Sequence, residues 1–226
     1  MPHSGKRAAP SRGGRPSRAR AEKLADHILD AATDLFLSNG YGVTSIEEVA
    51  RRARISKRTF YHRFEDKQAL FAAVVHRIVD RLRPGADVPI IEGPDLPAIL
   101  QHIAQLLLQA ALSTQAIALH RLIVGESGRF PRLAAVASTT TEEAVRLIAG
   151  VLEREAKAGR IVTPDPAFAA RQFLYMVIAA PQRIAMGLGA PMTAKQLRDW
   201  PGDVVELFLE GCRWRAAPRP RGPRGR

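Results

Sequence analysis

A single cysteine, Cys212, occurs in the 226 residues, so an intrachain disulfide is excluded and no cysteine cluster is available for zinc. Histidine is scarce too, six in all and none at metal-ligand spacing, and neither a metal nor another cofactor is expected. The chain has no P-loop, no dinucleotide fingerprint and no Gly-x-Ser-x-Gly elbow, so an enzyme reading lacks its parts. No run of about 18 apolar residues could span a bilayer, and the N-terminus lacks the apolar stretch of a signal peptide. A soluble, cytoplasmic protein with no membrane partner is the expectation.

Negative charge is also in short supply, and its absence is localised. The formal net charge is +12. Residues 1–26 carry seven Lys/Arg against two Asp/Glu, and residues 213–226 carry six Arg and no acid. Residues 45–70 hold seven basic and four acidic side chains, whereas residues 71–212 balance at fourteen of each. Basic arms flanking a small basic unit suit a polyanion, because each neutralised phosphate releases condensed counterions.

Apolar residues recur at helical spacing along most of the chain, and no alternating strand pattern stands out, so an all-α fold of about nine helices is expected. The first covers residues 22–38 and stops at Asn39-Gly40. The second, 46–53, has overlapping capping boxes in Thr44 with Glu47 and Ser45 with Glu48. A third, 57–64, starts behind Ser56, and a fourth, 67–82, behind Asp66. Further helices are expected near 96–112, 114–125, 131–158 with a break at 138–141, 166–180 and 194–213. Pro181 should end or kink the penultimate helix, and Pro201 should interrupt the last.

The second and third helices make a tight helix-turn-helix. Ile46, Val49, Ala50, Ile55, Phe60 and Phe64 can form its small core, which leaves Lys57, Arg58, Thr59, Tyr61 and His62 on the outer face. Long donors, a hydroxyl and aromatics on one short helix suit the major groove. Lys57 and Arg58 are the candidates for base contacts. The segment from Thr44 to Phe71, Thr-Ser-Ile-Glu-Glu-Val-Ala-Arg-Arg-Ala-Arg-Ile-Ser-Lys-Arg-Thr-Phe-Tyr-His-Arg-Phe-Glu-Asp-Lys-Gln-Ala-Leu-Phe, closely resembles the signature of the TetR family of repressors.

That resemblance implies that Thr44, Tyr61 and Lys67 contact the DNA backbone, with Ser45 and Ser56 at the helix starts joining the contacting set. One departure stands out: Arg54 sits where the family usually has glycine in a left-handed turn. The stretch Arg12-Gly-Gly-Arg-Pro16 resembles a minor-groove arm, with Arg12, Arg15 and Arg18 as its candidates.

The organisation expected is a disordered basic arm over 1–20, a DNA-binding unit over 21–66, a ligand-binding and dimerisation unit over 67–213 joined through the helix 67–82, and a disordered tail over 214–226. The segments Leu119 to Leu133 and Asp165 to Phe173 resemble the C-terminal domain of the AefR-like branch. His102, Gln109, His120, Tyr175 and Met176, on otherwise apolar helices, are candidate pocket liners for an unidentified small-molecule effector. By resemblance, the last two helices pair with their symmetry mates in a homodimer through Phe173, Val177, Val205, Phe208 and Leu209, with Cys212 packed beside them. Together these features imply a ligand-released repressor on a palindromic double-stranded DNA operator, the effector acting among the fifth to seventh helices to pull on the fourth. The rival reading is a nonspecific architectural protein that holds DNA through its arms alone.

Overall fold

The computed structural model describes residues 18–83 and 89–211. Over these the chain forms nine α-helices and no strand: α1 (Arg18–Asn39), α2 (Ile46–Arg52), α3 (Lys57–Tyr61), α4 (Lys67–Leu82), α5 (Leu96–Ala111), α6 (Thr114–Glu126), α7 (Pro131–Lys157), α8 (Pro166–Ala185) and α9 (Ala194–Gly211). No helix among the described residues is long and apolar enough to cross a membrane by itself. Arg12, Arg15, Cys212 and the tail 214–226 lie outside the described residues, and Arg18 is the first residue of α1.

Side-chain caps fix most helix starts. Of the two overlapping boxes before α2, Ser45 supplies the cap, accepting from the Glu48 amide. Ser56, Asp66 and Asp165 accept from Thr59, Ala69 and Phe168 in the same way. Thr193 and Gln196 cap one another reciprocally: the Gln196 amide donates to Thr193 Oγ1, and the Thr193 amide to Gln196 Oε1. Each such cap satisfies a helix-end amide that would otherwise lack a partner, worth about 1 kcal/mol.

The turn after α2 closes in a Schellman arrangement, with the Arg54 amide on Arg51 O and the Ile55 amide on Ala50 O. This requires a left-handed residue in the middle. Arg54 adopts it, at φ +52°, where the same turn after α7 and after α8 uses Gly159 and Gly187.

Two apolar cores divide the molecule. One gathers Ile28, Phe36, Val49, Phe60, Leu70, Phe71 and Val74 from α1 to α4 together with Leu119 of α6 and Leu133 of α7. The other is built from α5, the C-terminal half of α7, α8 and α9 around Leu100, Ile148, Leu152, Phe173 and Val177. The short N-terminal helices therefore share their core with α4, α6 and α7. So small a unit buries too little surface, and it borrows α4, α6 and α7.

Four helices differ from the sequence pattern. The break expected at 138–141 is absent, and α7 is continuous. Its polar run stays helical because Ser138 Oγ donates to Ala135 O and Thr139 Oγ1 to Val136 O, so these hydroxyls bond within the helix instead of ending it. Helix α8 continues through Pro181, and α9 through Pro201. Helix α3 ends at Tyr61 rather than residue 64, with the Arg63 and Phe64 amides both folding back onto Phe60 O.

Candidate nucleic-acid interface

The inward face of α3 is a single anchor. Phe60 is fully buried, with Tyr61 edge-on to it at 5.4 Å and Phe64 at 5.6 Å between ring centroids. With Phe60 seated, helical geometry turns Lys57, Arg58 and Tyr61 outward, and all three are exposed, Tyr61 by 54%. His62 caps the C-terminal end and is also exposed. Ser56 and Thr59 pair their hydroxyls at 2.8 Å at the N-terminal end of this face. The expected readers therefore share one solvent-facing surface.

Lys57 is held in place by a residue that the sequence pattern left among the capping candidates. Glu47 of α2 lies 2.5 Å from its ammonium. That hydrogen bond raises the Lys57 pKa and lowers that of Glu47. The signal available was an acid in the first turn of α2, the helix next to α3.

Behind α3 lies a second cationic group. Lys67, first residue of α4, is partly buried, its ammonium 4.3 Å over the Tyr41 ring and 3.3 Å from the Gly42 carbonyl oxygen, to which it donates. Burial lowers its pKa, and the charge of Glu126 works against that shift. Thr44 is 1% exposed, and its hydroxyl lies 2.8 Å from Gly40 O and 3.2 Å from Leu35 O. The expected phosphate contact by this hydroxyl is corrected accordingly: it pins the entry to α2 against the end of α1. Ser45 remains exposed at the α2 start.

A helix-turn-helix of this geometry, set on a larger helical body, matches known proteins over both parts. Residues 28–74 match the model for bacterial regulatory proteins of the tetR family, and residues 98–211 match that for the C-terminal domain of AefR-like transcriptional repressors. The chain belongs to the TetR family. It is a helix-turn-helix transcription regulator and not an enzyme.

Among solved structures of the family, the flavonoid-responsive regulator FrrA is 32% identical with a TM-score of 0.73, over 86% of this chain and 100% of that one. A TetR-family protein from Mesorhizobium loti is 30% identical with a TM-score of 0.70, over 85% and 98%. Among curated relatives, the transcriptional activator FasR of Mycolicibacterium smegmatis is 35% identical over 71 residues, which is 31% of this chain and 32% of FasR. The curated matches thus span about a third of those relatives' length.

The TetR-family body places the remaining candidates differently from the sequence pattern. Phe173, Val177, Val205 and Phe208, expected between protomers, are buried in the chain's own second core, and Leu209 packs against it. The helical stripe chosen for the interface is the inward one. Phe168 and Tyr175 of α8 and Leu207 of α9 are the apolar residues facing outward, 60%, 47% and 63% exposed.

Tyr175 therefore leaves the set of pocket candidates, and Gln109 is exposed as well. His102 turns toward the segment before α5, with Nε2 2.9 Å from Pro89 O, while His120 and Met176 are half-buried. None of the five lines the cavity of about 1050 Å³ found where the start of α5, the end of α7 and α9 meet, whose walls include Leu96, Ile99, Leu152, Ile161 and Phe208 beneath Asp95 and Arg160. A periodic pattern identifies which helix faces are apolar, but not which of them fail to meet.

Proposed function

We propose that this regulator is a repressor that binds a palindromic operator as a homodimer in the cytoplasm and is released by a small-molecule effector. The observation that carries the reading is the α3 surface, with Lys57, Arg58 and Tyr61 outward over a buried Phe60. Lys57 and Arg58 read base edges; Ser45, Ser56, Thr59, Tyr61, His62 and Lys67 position the helix on the backbone.

Repression is supported by the description of the AefR-like model, and dimerisation by the outward apolar residues of α8 and α9. A cavity of about 1050 Å³ is ample for a small organic effector. The name of FrrA makes flavonoids the first compounds to screen.

Selection from a random duplex pool at fixed moderate salt tests this, using wild-type protein, Tyr61→Ala and Lys57→Ala. A palindrome that Tyr61→Ala weakens throughout and Lys57→Ala relaxes at particular base pairs is the expected result. Enrichment of no motif would replace this reading by nonspecific, architectural binding.

A further inference from the structure

Gly42, in the turn between α1 and α2, has both of its backbone groups taken by side chains from elsewhere in the chain. Its carbonyl accepts from Lys67 of α4 at 3.3 Å, and its amide donates to Glu126 Oε1 of α6 at 2.9 Å. The second bond crosses 84 positions of sequence.

The turn is shaped to receive that carboxylate. A Cβ at Gly40 would lie 3.0 Å from Glu126 Oε1, and one at Gly42 3.4 Å from Glu126 Oε2 and from Phe130 Cε2. A side chain at Gly40 would crowd the acid, whereas a Cβ at Gly42 would rest on it at ordinary contact distance. Phe130 closes the notch from the α6–α7 turn, edge-on to the buried Tyr41 at 4.9 Å.

Glu126 reaches out of its own helix to Gly42 through its carboxylate. It is the last residue of α6, where the helix dipole presents negative charge and disfavours a carboxylate. Its side chain instead satisfies an amide of the DNA-binding unit and supports the charge of Lys67, whose pKa burial would otherwise depress further. The Glu126 backbone carbonyl meanwhile accepts from the Arg129 and Phe130 amides, which fixes the turn behind it.

We propose that Glu126 is a positioning residue for DNA binding: from the end of α6 it sets the α1–α2 turn and, through it, Lys67. An effector that shifts the end of α6 therefore acts on Lys67 through this turn. The proposal rests on the DNA-binding reading of α3 and Lys67 given above.

The test is a double-mutant cycle on the duplex enriched by the selection, with Glu126→Ala, Glu126→Gln, Lys67→Ala and the Glu126→Ala/Lys67→Ala pair measured across a salt series. Glu126→Ala should weaken binding about tenfold, the scale of one lost charge-assisted hydrogen bond. It should also lower the salt slope by about one phosphate contact. Glu126→Gln, which keeps an acceptor for Gly42, should recover most of the affinity, and Glu126→Ala should add nothing further on the Lys67→Ala background.

If Lys67→Ala itself leaves binding and salt slope unchanged, the interface reading fails and takes the proposal with it. If Lys67→Ala weakens binding but Glu126→Ala is silent, or its effect simply adds to that of Lys67→Ala, the Glu126 proposal alone is overturned. A loss of thermal stability in Glu126→Ala with an unchanged salt slope also overturns it, because a merely structural role has that signature.

Discussion

Arg54 shows at the scale of one residue how a turn can be kept while its usual occupant is lost. Its φ of +52° is the conformation a Schellman turn demands, and a side chain there costs about 1–2 kcal/mol. Arg54→Gly removes that cost but adds freedom to the unfolded chain, about 0.5–1 kcal/mol. The expected outcome is a net rise of about 0.5–1 kcal/mol, seen as a Tm higher by about 1–4 °C; a lower Tm would mean that the Arg54 side chain makes compensating contacts. Lys57 presents the complementary case. On the proposed role of Lys57 in reading a base edge, its partner Glu47 must release it first, so Glu47→Gln should tighten binding to any duplex by about 2- to 5-fold at low salt, with the advantage shrinking as salt screens the pair. Gel-shift titrations at two salt concentrations check this. Both residues stood out in the sequence, Arg54 as a departure from a glycine position and Lys57 as a candidate for base contacts. The Glu47 pairing was not visible, because it depends on the angle at which α2 meets α3.

Among the elements, α8 and α9 explain why Pro181 leaves its helix intact. A proline at this position has no amide to give the carbonyl four residues earlier, which belongs to Val177. The indole Nε1 of Trp200 donates to that carbonyl at 2.8 Å, so a side chain of α9 supplies the bond that α8 cannot make. Trp200→Phe should therefore cost about 1–3 kcal/mol, the penalty of an unpaired buried carbonyl. Pro181→Ala should recover much of that loss in the Trp200→Phe background, because residue 181 regains its amide. Chemical denaturation of the two single variants and the double variant measures the coupling; strictly additive losses would show that the two groups do not depend on each other. By local chemistry Pro181 should end or kink its helix and Pro201 should interrupt its own, since proline acts on the helix it sits in. The tertiary partner that cancels the effect of Pro181 lies 23 positions from the Val177 carbonyl it pairs with. The polar run in α7 misled in the same way, because Ser and Thr read as a break while their hydroxyls can be satisfied inside a helix.

For the molecule as a whole, ion pairs supplement the packing of the two cores. Arg171 of α8 grips Glu142 of α7 with two hydrogen bonds, Arg83 pairs with Glu143, and Arg160 with Glu155 across the turn after α7. Hydrogen bonds from these arginines hold Glu142 and Glu155 below the ordinary 4.5, and Lys195 holds Asp199 below 3.8. A depressed carboxylate contributes stability above its unfolded pKa and loses it as pH falls through the folded value. The Tm should therefore be flat near neutrality and decline once pH drops below about 4.5, with Glu142→Gln showing a lower neutral plateau and a shallower decline. Thermal melts across an acid series give the answer, and an unchanged slope in Glu142→Gln would remove that pair from the account.

The amino-acid sequence by itself determined the helices, their caps and the outward set on α3, because these depend on spacing and local chemistry within a few residues. It also carried enough of the Thr44 to Phe71 pattern to indicate the family. Only the tertiary structure decided which face of α8 and α9 looks outward, that the short N-terminal helices share a core with α4, α6 and α7, and that Gly42 is held between Lys67 and Glu126. Those features arise where helices distant in sequence meet, and a periodic pattern states that a face is apolar without naming what will cover it.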